Sequence, residues 1–275
     1  MNRRTFLQDA SLLAASSFIG LPAAQAASPY PVVRPAATQR RFRSKAVEAA
    51  IAEFGAGVKD PELAWLFGNC FPNTLDTTVM PGTRAGRPDT YVITGDIDAM
   101  WLRDSSAQVW PYLQLIDKDA ELRNLIAGVI NRQTRCVIKD PYANAFYGDD
   151  TKVGEWATDK TAMQPGVHER KWEIDSLCYP IRLGYQYWKT TGDEQPFDAQ
   201  WRQAIELIVK TFREQQRKND LGPYKFQRVT EKATDTSPCT ATATPCGRWA
   251  SSARPSGPAT MPRCCPFWCP ATSLP

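Results

Sequence analysis

The chain has 275 residues, of which 43% are apolar and 23% charged, so it is long enough for one sizeable domain and too hydrophobic for a disordered protein. Its net charge of +4 is concentrated in the last 39 residues, which contain three Arg and no other charged side chain. The remainder carries 30 basic and 29 acidic residues, which argues against nucleic acid as a partner. The one histidine, His168, excludes a His-rich metal site, and no apolar run reaches the roughly 18 residues of a membrane span.

Residues 1–26 have the three parts of a bacterial secretory signal. Arg3-Arg4 opens it, an uncharged and mostly apolar stretch follows from Ala10, and Ala24-Gln25-Ala26 offers small residues to a signal peptidase. Paired arginines followed by x-Phe-Leu are typical of twin-arginine signals, so we expect the twin-arginine export machinery to deliver the protein to the periplasm or outside the cell. An ordinary secretory signal or a buried helix is the alternative. Residues 27–40, with three Pro, are predicted to form a linker.

Apolar residues at three- and four-residue spacing predict helices through the body of the chain. The six predicted helices span residues 41–56, 61–70, 99–116, 119–134, 173–188 and 201–212. Strand-like pieces are limited to Tyr91–Thr94 and Tyr224–Phe226, and a break near Asp193 and Pro196 separates the last two helices. Successive helices favour an all-α fold of antiparallel hairpins, as a bundle or a toroid. Cys178 falls on an apolar helix face and is expected to be a buried thiol.

The segment Thr94–Ser105 looks like part of a binding site. It places Asp96, Asp98 and Asp104 beside Trp101 and Arg103, between a strand-like piece and a helix start. An indole can stack on an apolar sugar face while carboxylates and a guanidinium hold hydroxyl groups. A capped helix with a surface salt bridge explains the same residues equally simply. A metal ion at Asp96-x-Asp98 is a weaker third interpretation.

A second charged segment, His168–Ser176, surrounds a tryptophan just before another predicted helix. Glu173 and Asp175 would lie near the helix N-terminus, where carboxylates are favoured. This electrostatic preference accounts for the two carboxylates as fully as a binding function would. No visible nucleophile pairs with His168, so we do not expect it to act as a base.

Long ungapped motifs give these segments a specific resemblance. The stretch Gly95–Ser105 resembles the hallmark of glycoside hydrolase family 125, whose members are exo-acting α-1,6-mannosidases. Four further stretches agree with that family in order: Asn73–Val79, Lys139–Asn144, Glu169–Pro180 and Pro223–Phe226. The resemblance covers about residues 41–236.

The resemblance implies an (α/α)6 toroid, present here as an incomplete ring of helical hairpins, and metal-independent, inverting hydrolysis of α-mannoside glycans without a cofactor. Inversion requires a general acid and a general base about 6.5–9.5 Å apart, with room for water between them. Eight residues on matching motifs are implied to bind substrate: Asp96, Trp101, Arg103, Asp104, Arg170, Lys171, Glu173 and Asp175.

Residues 237–275 break the pattern and read as a disordered tail that is out of frame. The family continues with Phe-Arg-Pro-Ser-Asp-Asp, whose first Asp is its general acid, whereas here Arg254-Pro255-Ser256 is followed by Gly257-Pro258. In the shifted frame, each codon consists of the third base of one written codon and the first two bases of the next. Three shifted codons can then encode only one residue: Gly across Trp249 and Ala250, Ala across Met261 and Pro262, and Val across Trp268 and Cys269. With the free wobble bases, the shifted frame can read Gly-Leu-Ile-Gly-Ser-Ala-Phe-Arg-Pro-Ser-Asp-Asp, which is the family's continuation. We therefore infer a one-base slip near Ser237; a genuine Cys-rich tail is the alternative.

As written, the chain is expected to lack both the general acid and the family's general base, a Glu that lies beyond Pro275 in the family pattern. We therefore expect either a damaged translation of an exported exo-α-1,6-mannosidase or, alternatively, a non-catalytic sugar-binding remnant or pseudogene product. Incomplete closure of the ring would leave apolar helix faces exposed, which favours aggregation.

Overall fold

The computed structural model describes residues 30–228 except 219 and 221. The predicted signal (1–26), the predicted disordered tail (237–275) and the first part of the predicted linker (27–40) lie outside these residues. The elements described below all belong to the unit that begins at Val33. Within the described residues, no helix is long and apolar enough to cross a membrane.

The later part of the predicted linker is held against the domain by ion pairs. Arg34 Nε donates to Asp76 Oδ2 at 2.6 Å, and its Nη2 donates to Glu48 Oε1 at the same distance. The Asp76 side chain is only 1% exposed, and Arg40 Nε lies 3.7 Å from its other oxygen. A buried carboxylate needs such partners, so these arginines fix the chain just before the first helix.

Helices α1 (Lys45–Gly57) and α2 (Pro61–Cys70) confirm the first two predicted helices. Each begins at a side-chain cap: Ser44 Oγ accepts from the Val47 amide, and Asp60 Oδ1 accepts from the amides of Glu62 and Leu63. The short helix α3 (Asn73–Thr77) follows.

A β-hairpin comes next, of which the predicted strand Tyr91–Thr94 covers only the last part. Strands β1 (Val79–Arg84) and β2 (Arg87–Val92) pair antiparallel, joined by Ala85 and Gly86, both with positive φ as a tight hairpin turn requires. The hairpin packs on α5 (Ala120–Lys139), whose Leu125 carbonyl accepts from Thr90 Oγ1. Gly128 of α5 permits this close approach.

The segment predicted as one helix over 99–116 is divided into three pieces. Strand β3 (Met100–Trp101) leads directly into α4 (Leu102–Val109), and a 3₁₀ turn follows at Trp110–Gln114. Pro111 explains the change from α to 3₁₀ geometry, because proline cannot donate the backbone hydrogen bond that a continuing α-helix needs.

Two long helices complete the described fold and confirm the predicted helices at 173–188 and 201–212. Helix α6 (Ile174–Thr191) ends at Gly192 with φ 67°, and α7 (Ala199–Gln215) begins at Asp198, whose carboxylate caps two amides. Helix α4 packs on α6 and α5 packs on α7, so consecutive hairpins lie side by side. The predicted all-α fold class with minor strands is therefore confirmed.

A three-stranded antiparallel sheet joins the starts of α4 and α6. Its order is β3, β4 (Ala145–Phe146) and β5 (Val167–Glu169), and the strands are only two or three residues long. The predicted strand Tyr224–Phe226 is wrong: these residues are irregular, although Gln227 exchanges two backbone hydrogen bonds with Lys160.

Helices α6 and α7 also present apolar side chains to solvent. Tyr185 is 56% exposed and Trp188 44% exposed, at the rim of a cavity of about 410 Å³ between the two helices. Cys178 is exposed as well, so the expectation of a buried thiol is wrong. Its helix position shares the apolar stripe in sequence, but within the described residues Cys178 is exposed, as are Tyr185 and Trp188 of the same helix.

Gly128→Ala should destabilise the fold. A Cβ at Gly128 would overlap Thr90 Oγ1 and lie 2.9 Å from the Thr90 amide nitrogen, which belongs to backbone and cannot move freely. We expect the free energy of unfolding to fall by about 1–3 kcal/mol, measured by urea denaturation. Gly55→Ala is the matched control, because Gly55 lies in α1 with open space around it and should gain up to about 1 kcal/mol from helix propensity. Equal effects of the two substitutions would contradict this packing.

Candidate carbohydrate-binding site

The site is built where the first turns of α4 and α6 meet. Strand β3 runs straight into α4, and β5 reaches α6 after four residues, so the small sheet delivers both helix starts to the same place. The fully buried Gln133 of α5 fixes the first turn of α4: its Nε2 donates to the Leu102 carbonyl, Ser105 Oγ and Ser106 Oγ at 3.2, 2.9 and 2.8 Å.

Arg103 joins the two helices at this point. Its Nη1 donates to Glu173 Oε2 at 3.2 Å and to Asp175 Oδ2 at 3.0 Å, and its Nε lies 3.4 Å from Asp104 Oδ2. The guanidinium is 36% exposed, and the three carboxylate side chains are 25–34% exposed. Burial acts to lower the pKa of Arg103, but the surrounding carboxylates outweigh it and raise the pKa above its ordinary range. The cluster of Arg103, Asp104, Glu173 and Asp175 therefore carries more acidic than basic groups.

Glu173 is a carboxyl group of this cluster with a raised pKa. Burial raises its pKa above the ordinary value of 4.5, and the nearby charges of Asp175 and Glu169 act in the same direction. Arg103 and the Ser176 hydroxyl, which donates to Glu173 Oε2 at 3.1 Å, oppose the shift without cancelling it. A carboxyl group in this state keeps its proton to higher pH and can then donate a hydrogen bond to a ligand oxygen.

Asp104 supplies a further polar group to the cluster. Its Oδ2 is buried and has no hydrogen-bond partner among the residues that the structure describes, although the side chain as a whole stays 34% exposed. Arg103 Nε lies 3.4 Å from this oxygen and pairs with its charge, but this contact leaves its hydrogen-bonding capacity unused. Asp104 is thus suited to accept a hydrogen bond from a bound hydroxyl group.

Trp101 stands on β3, one residue before α4, and is half-buried. Its indole meets the edge of the His168 ring at a centroid distance of 5.0 Å. His168 is 2% exposed, and burial lowers the pKa of its imidazole below 6.5. Asp98 and Asp96 lie exposed on the loop just before β3, where Asp98 Oδ2 accepts from Lys152 Nζ at 3.2 Å.

The structure places Arg170 in a different set of contacts. Its Nε donates to the buried Asp140 at 2.6 Å, and its guanidinium lies 5.2 and 5.6 Å from the ring centroids of Tyr142 and Tyr224. The backbone amide of Lys171 donates to Asn144 Oδ1 at 3.1 Å, and its side chain is half-buried. The predicted site residues thus divide into the cluster around Arg103, the loop with Trp101, and this supporting region.

Sequence reasoning missed the residues that hold this supporting region together. Glu169 accepts from Asn144 Nδ2 at 2.7 Å and from Arg228 Nη1 at 2.9 Å, and Arg228 also pairs with Asp159 at 2.6 Å. Their separation of up to 69 residues hides the network from any local pattern, although Asn144 and Glu169 lie inside two of the noted motifs. Across residues 30–228, apart from 219 and 221, no three His, Cys, Asp or Glu side chains are grouped to hold a metal ion.

Comparison with known proteins identifies the family of the chain. A profile of the metal-independent α-mannosidases of glycoside hydrolase family 125 matches residues 60–271, which includes much of the segment after Ser237. The chain therefore belongs to this family of metal-independent α-mannosidases.

Two relatives show how much of the family fold is present. The Meiotically up-regulated gene 157 protein of Schizosaccharomyces pombe is 40% identical over 224 residues, covering 75% of this chain and 44% of the relative. The solved structure of a Streptococcus pneumoniae metal-independent α-mannosidase, in a non-productive complex with α-1,6-mannobiose, is 41% identical with a TM-score of 0.67. That match covers 73% of this chain and 46% of the other, so the chain spans less than half the length of either relative.

Arg103→Met should destabilise the fold in a pH-dependent way. The substitution leaves the Glu173 and Asp175 carboxylates facing each other without their shared cation, so the already raised pKa of Glu173 should rise further in the folded protein. Because an acid with a raised folded pKa favours folding only while protonated, the deficit should grow as the pH rises above about 4.5. We expect a deficit of about 1–2 kcal/mol at pH 7, discounted for solvent exposure, in denaturant unfolding.

Arg84→Met is the control for Arg103→Met. Arg84 forms an ion pair of 2.8 Å with Asp150, but both side chains are more exposed, at 54% and 38%. This variant should change the free energy of unfolding by less than about 1 kcal/mol. A deficit for Arg103→Met that does not depend on pH would contradict the electrostatic role of Arg103.

Proposed function

We propose that the chain carries the sugar-binding part of an exported, inverting exo-α-1,6-mannosidase that removes terminal mannose from glycans. The cluster of Arg103, Asp104, Glu173 and Asp175 beside Trp101 is the observation that carries the proposal. The family membership gives α-mannosides as the substrate class, and the pneumococcal relative's complex with α-1,6-mannobiose supports the linkage.

The chemistry of these residues fits mannose recognition. The hydroxyl groups of a sugar donate and accept hydrogen bonds, so acidic oxygens and a guanidinium within one cluster can hold several at once. Trp101 would cover an apolar sugar face, and Glu173, when protonated, would donate to a ring hydroxyl. These roles bind and orient the sugar; they require no metal ion.

Hydrolysis with inversion additionally needs an acid and a base on opposite sides of the glycosidic bond. We propose that the acid is the first Asp of the Arg-Pro-Ser-Asp-Asp motif in the shifted frame, whose codon is split across Ala259 and Thr260. In the frame as written, Ser256 is followed by Gly257, so we propose that this product binds sugar without cleaving it. The Arg103 cluster positions the sugar in either product.

A non-catalytic sugar-binding remnant is the second candidate function. The literal sequence after Ser256 favours it, because glycine and proline stand where the family motif has two acids. A DNA read across the codons for residues 230–275, from an independent template, separates the two candidates. A restored base favours the full mannosidase, and a confirmed slip favours the remnant.

Two proteins should behave differently towards α-1,6-mannobiose. We expect the frame-restored gene product to release mannose with inverted configuration, detected by NMR of the first-formed anomer, and to be unaffected by a chelator. The chain as written should bind the disaccharide in calorimetry with hydrolysis at least about 100-fold slower, since general acid catalysis contributes that much or more. Equal turnover by the two proteins would refute the assignment of the acid, and α-1,2-mannobiose tests the linkage preference.

Export should depend on the paired arginines. In a bacterial host with a twin-arginine pathway, replacing both Arg3 and Arg4 with Lys should retain the precursor in the cytoplasm, because that pathway reads the arginine pair. Fractionation and N-terminal sequencing measure the outcome, and the exported wild type should begin at Ala27. Unchanged export of the double variant would favour an ordinary secretory signal.

A further inference from the structure

His168 is the one histidine of the whole sequence and lies between two aromatic rings. Its ring meets those of Trp101 and Tyr147 edge-on, each at a centroid distance of 5.0 Å. On the Tyr147 side, His168 Nδ1 and the Tyr147 hydroxyl lie 2.8 Å apart in a hydrogen bond. The imidazole therefore links Trp101 to Tyr147 by direct contact.

Tyr147 is held tightly on its other side as well. A Cβ at Gly154 would overlap the Tyr147 hydroxyl and lie 2.6 Å from its Cζ, so the loop backbone closes over the end of the ring. The Lys152 ammonium lies over the ring face, 4.2 Å from the centroid, and 3.2 Å from Asp98 Oδ2. The Tyr147 side chain thus contacts both Lys152, which pairs with Asp98, and His168, which contacts Trp101.

Asp98 and Trp101 are the two ends of a four-residue stretch, but they have different supports. Trp101 belongs to β3, whose partner is Ala145, whereas Asp98 lies on an exposed loop and its side chain is 68% exposed. Local backbone geometry alone leaves such an exposed carboxylate free to adopt several rotamers. Two contacts hold it instead: Lys152 Nζ donates to Asp98 Oδ2, and the Tyr91 hydroxyl donates to Asp98 Oδ1 at 3.4 Å.

We propose that Tyr147 is a positioning residue that sets Trp101, through His168, and Asp98, through Lys152, in the arrangement that receives the sugar. This inference rests on the proposed function, in which Trp101 covers a sugar face, and it adds Asp98 as a further polar contact for the sugar. Tyr147 itself is buried and acts through its neighbours. Preorganised contacts improve binding because the cost of ordering the side chains is met during folding.

The test removes one hydroxyl group without changing the volume of the ring. Tyr147→Phe deletes the hydrogen bond to His168 and keeps the ring beneath Lys152. Calorimetry with α-1,6-mannobiose on the full chain should show binding that is about three- to tenfold weaker, the range for one lost hydrogen bond. Tyr187→Phe is the matched control: its buried hydroxyl donates to Asp193 at 2.5 Å, and Tyr187 belongs to none of the site's contacts described above.

The single histidine provides a readout that a loss of stability alone would not move. With isotope-labelled histidine, the imidazole signals in an NMR spectrum belong to His168 without further assignment. Mannobiose should shift these signals in the wild type although His168 is buried, and the nuclear Overhauser effect to the Trp101 indole should weaken in Tyr147→Phe. In Tyr187→Phe, the mannobiose-induced shift of the imidazole signals and the Overhauser effect to Trp101 should both match the wild type.

Lys152→Met supplies a second variant, since it keeps the apolar stem over Tyr147 and removes the charge that faces Asp98. Because Tyr147→Phe leaves the ring beneath Lys152, the two substitutions remove separate contacts, and the double variant should lose about the product of the two single losses in affinity. Affinity and Overhauser effects in Tyr147→Phe that match the wild type would overturn the proposal. Absence of mannobiose binding by the wild type would instead count against the proposed function, and the Overhauser measurement would still decide whether Tyr147 positions Trp101.

Discussion

The convergence of two helix N-termini on one guanidinium is the constraint on which the site depends. Both α4 and α6 direct the positive ends of their dipoles towards this point, so their approach requires negative charge. Asp104 and Asp175 supply it, and Arg103 in turn allows them to share a small volume with Glu173, whose pKa is raised by burial. The cluster therefore links the starts of α4 and α6 and also presents the groups proposed to bind hydroxyls.

The sequence predicted the parts of this arrangement better than their assembly. Helical periodicity located α5, α6 and α7, because their burial is governed by one apolar face each. Strand β1 was missed because Pro81 and Gly82 interrupt any alternation, and β3 to β5 are too short to have a pattern of their own. Motifs placed Arg103 and Glu173 among the candidates, but their contact spans 70 residues and depends on those unpredicted strands.

Two of the candidate site residues, both arginines, lie in environments that the sequence does not distinguish. Arg103 and Arg170 both stand among acidic and aromatic residues in the sequence, yet Arg103 is partly exposed whereas Arg170 lies beside a stacked pair of tyrosine rings. The difference arises from long-range packing of Tyr224, which reaches back across 54 residues to donate to the Arg170 carbonyl. A residue's neighbours in sequence indicate its chemistry, whereas its exposure is decided by parts of the chain that arrive later.

The cap of α1 likewise involves a residue that is synthesised much later. Ser44 Oγ donates to Asp119 Oδ2 at 2.6 Å across 75 residues, and Asp119 itself caps α5. During synthesis at about 5–20 residues per second, the partner of Ser44 is made about 4–15 seconds after Ser44. Helix α1 is thus the first helix described here to be synthesised; its cap from Ser44 to the Val47 amide is local, but Ser44 gains its second partner only when α5 begins. The hydrogen bond from Ser44 to Asp119 at the start of α1 can therefore form only after the middle of the domain has been synthesised.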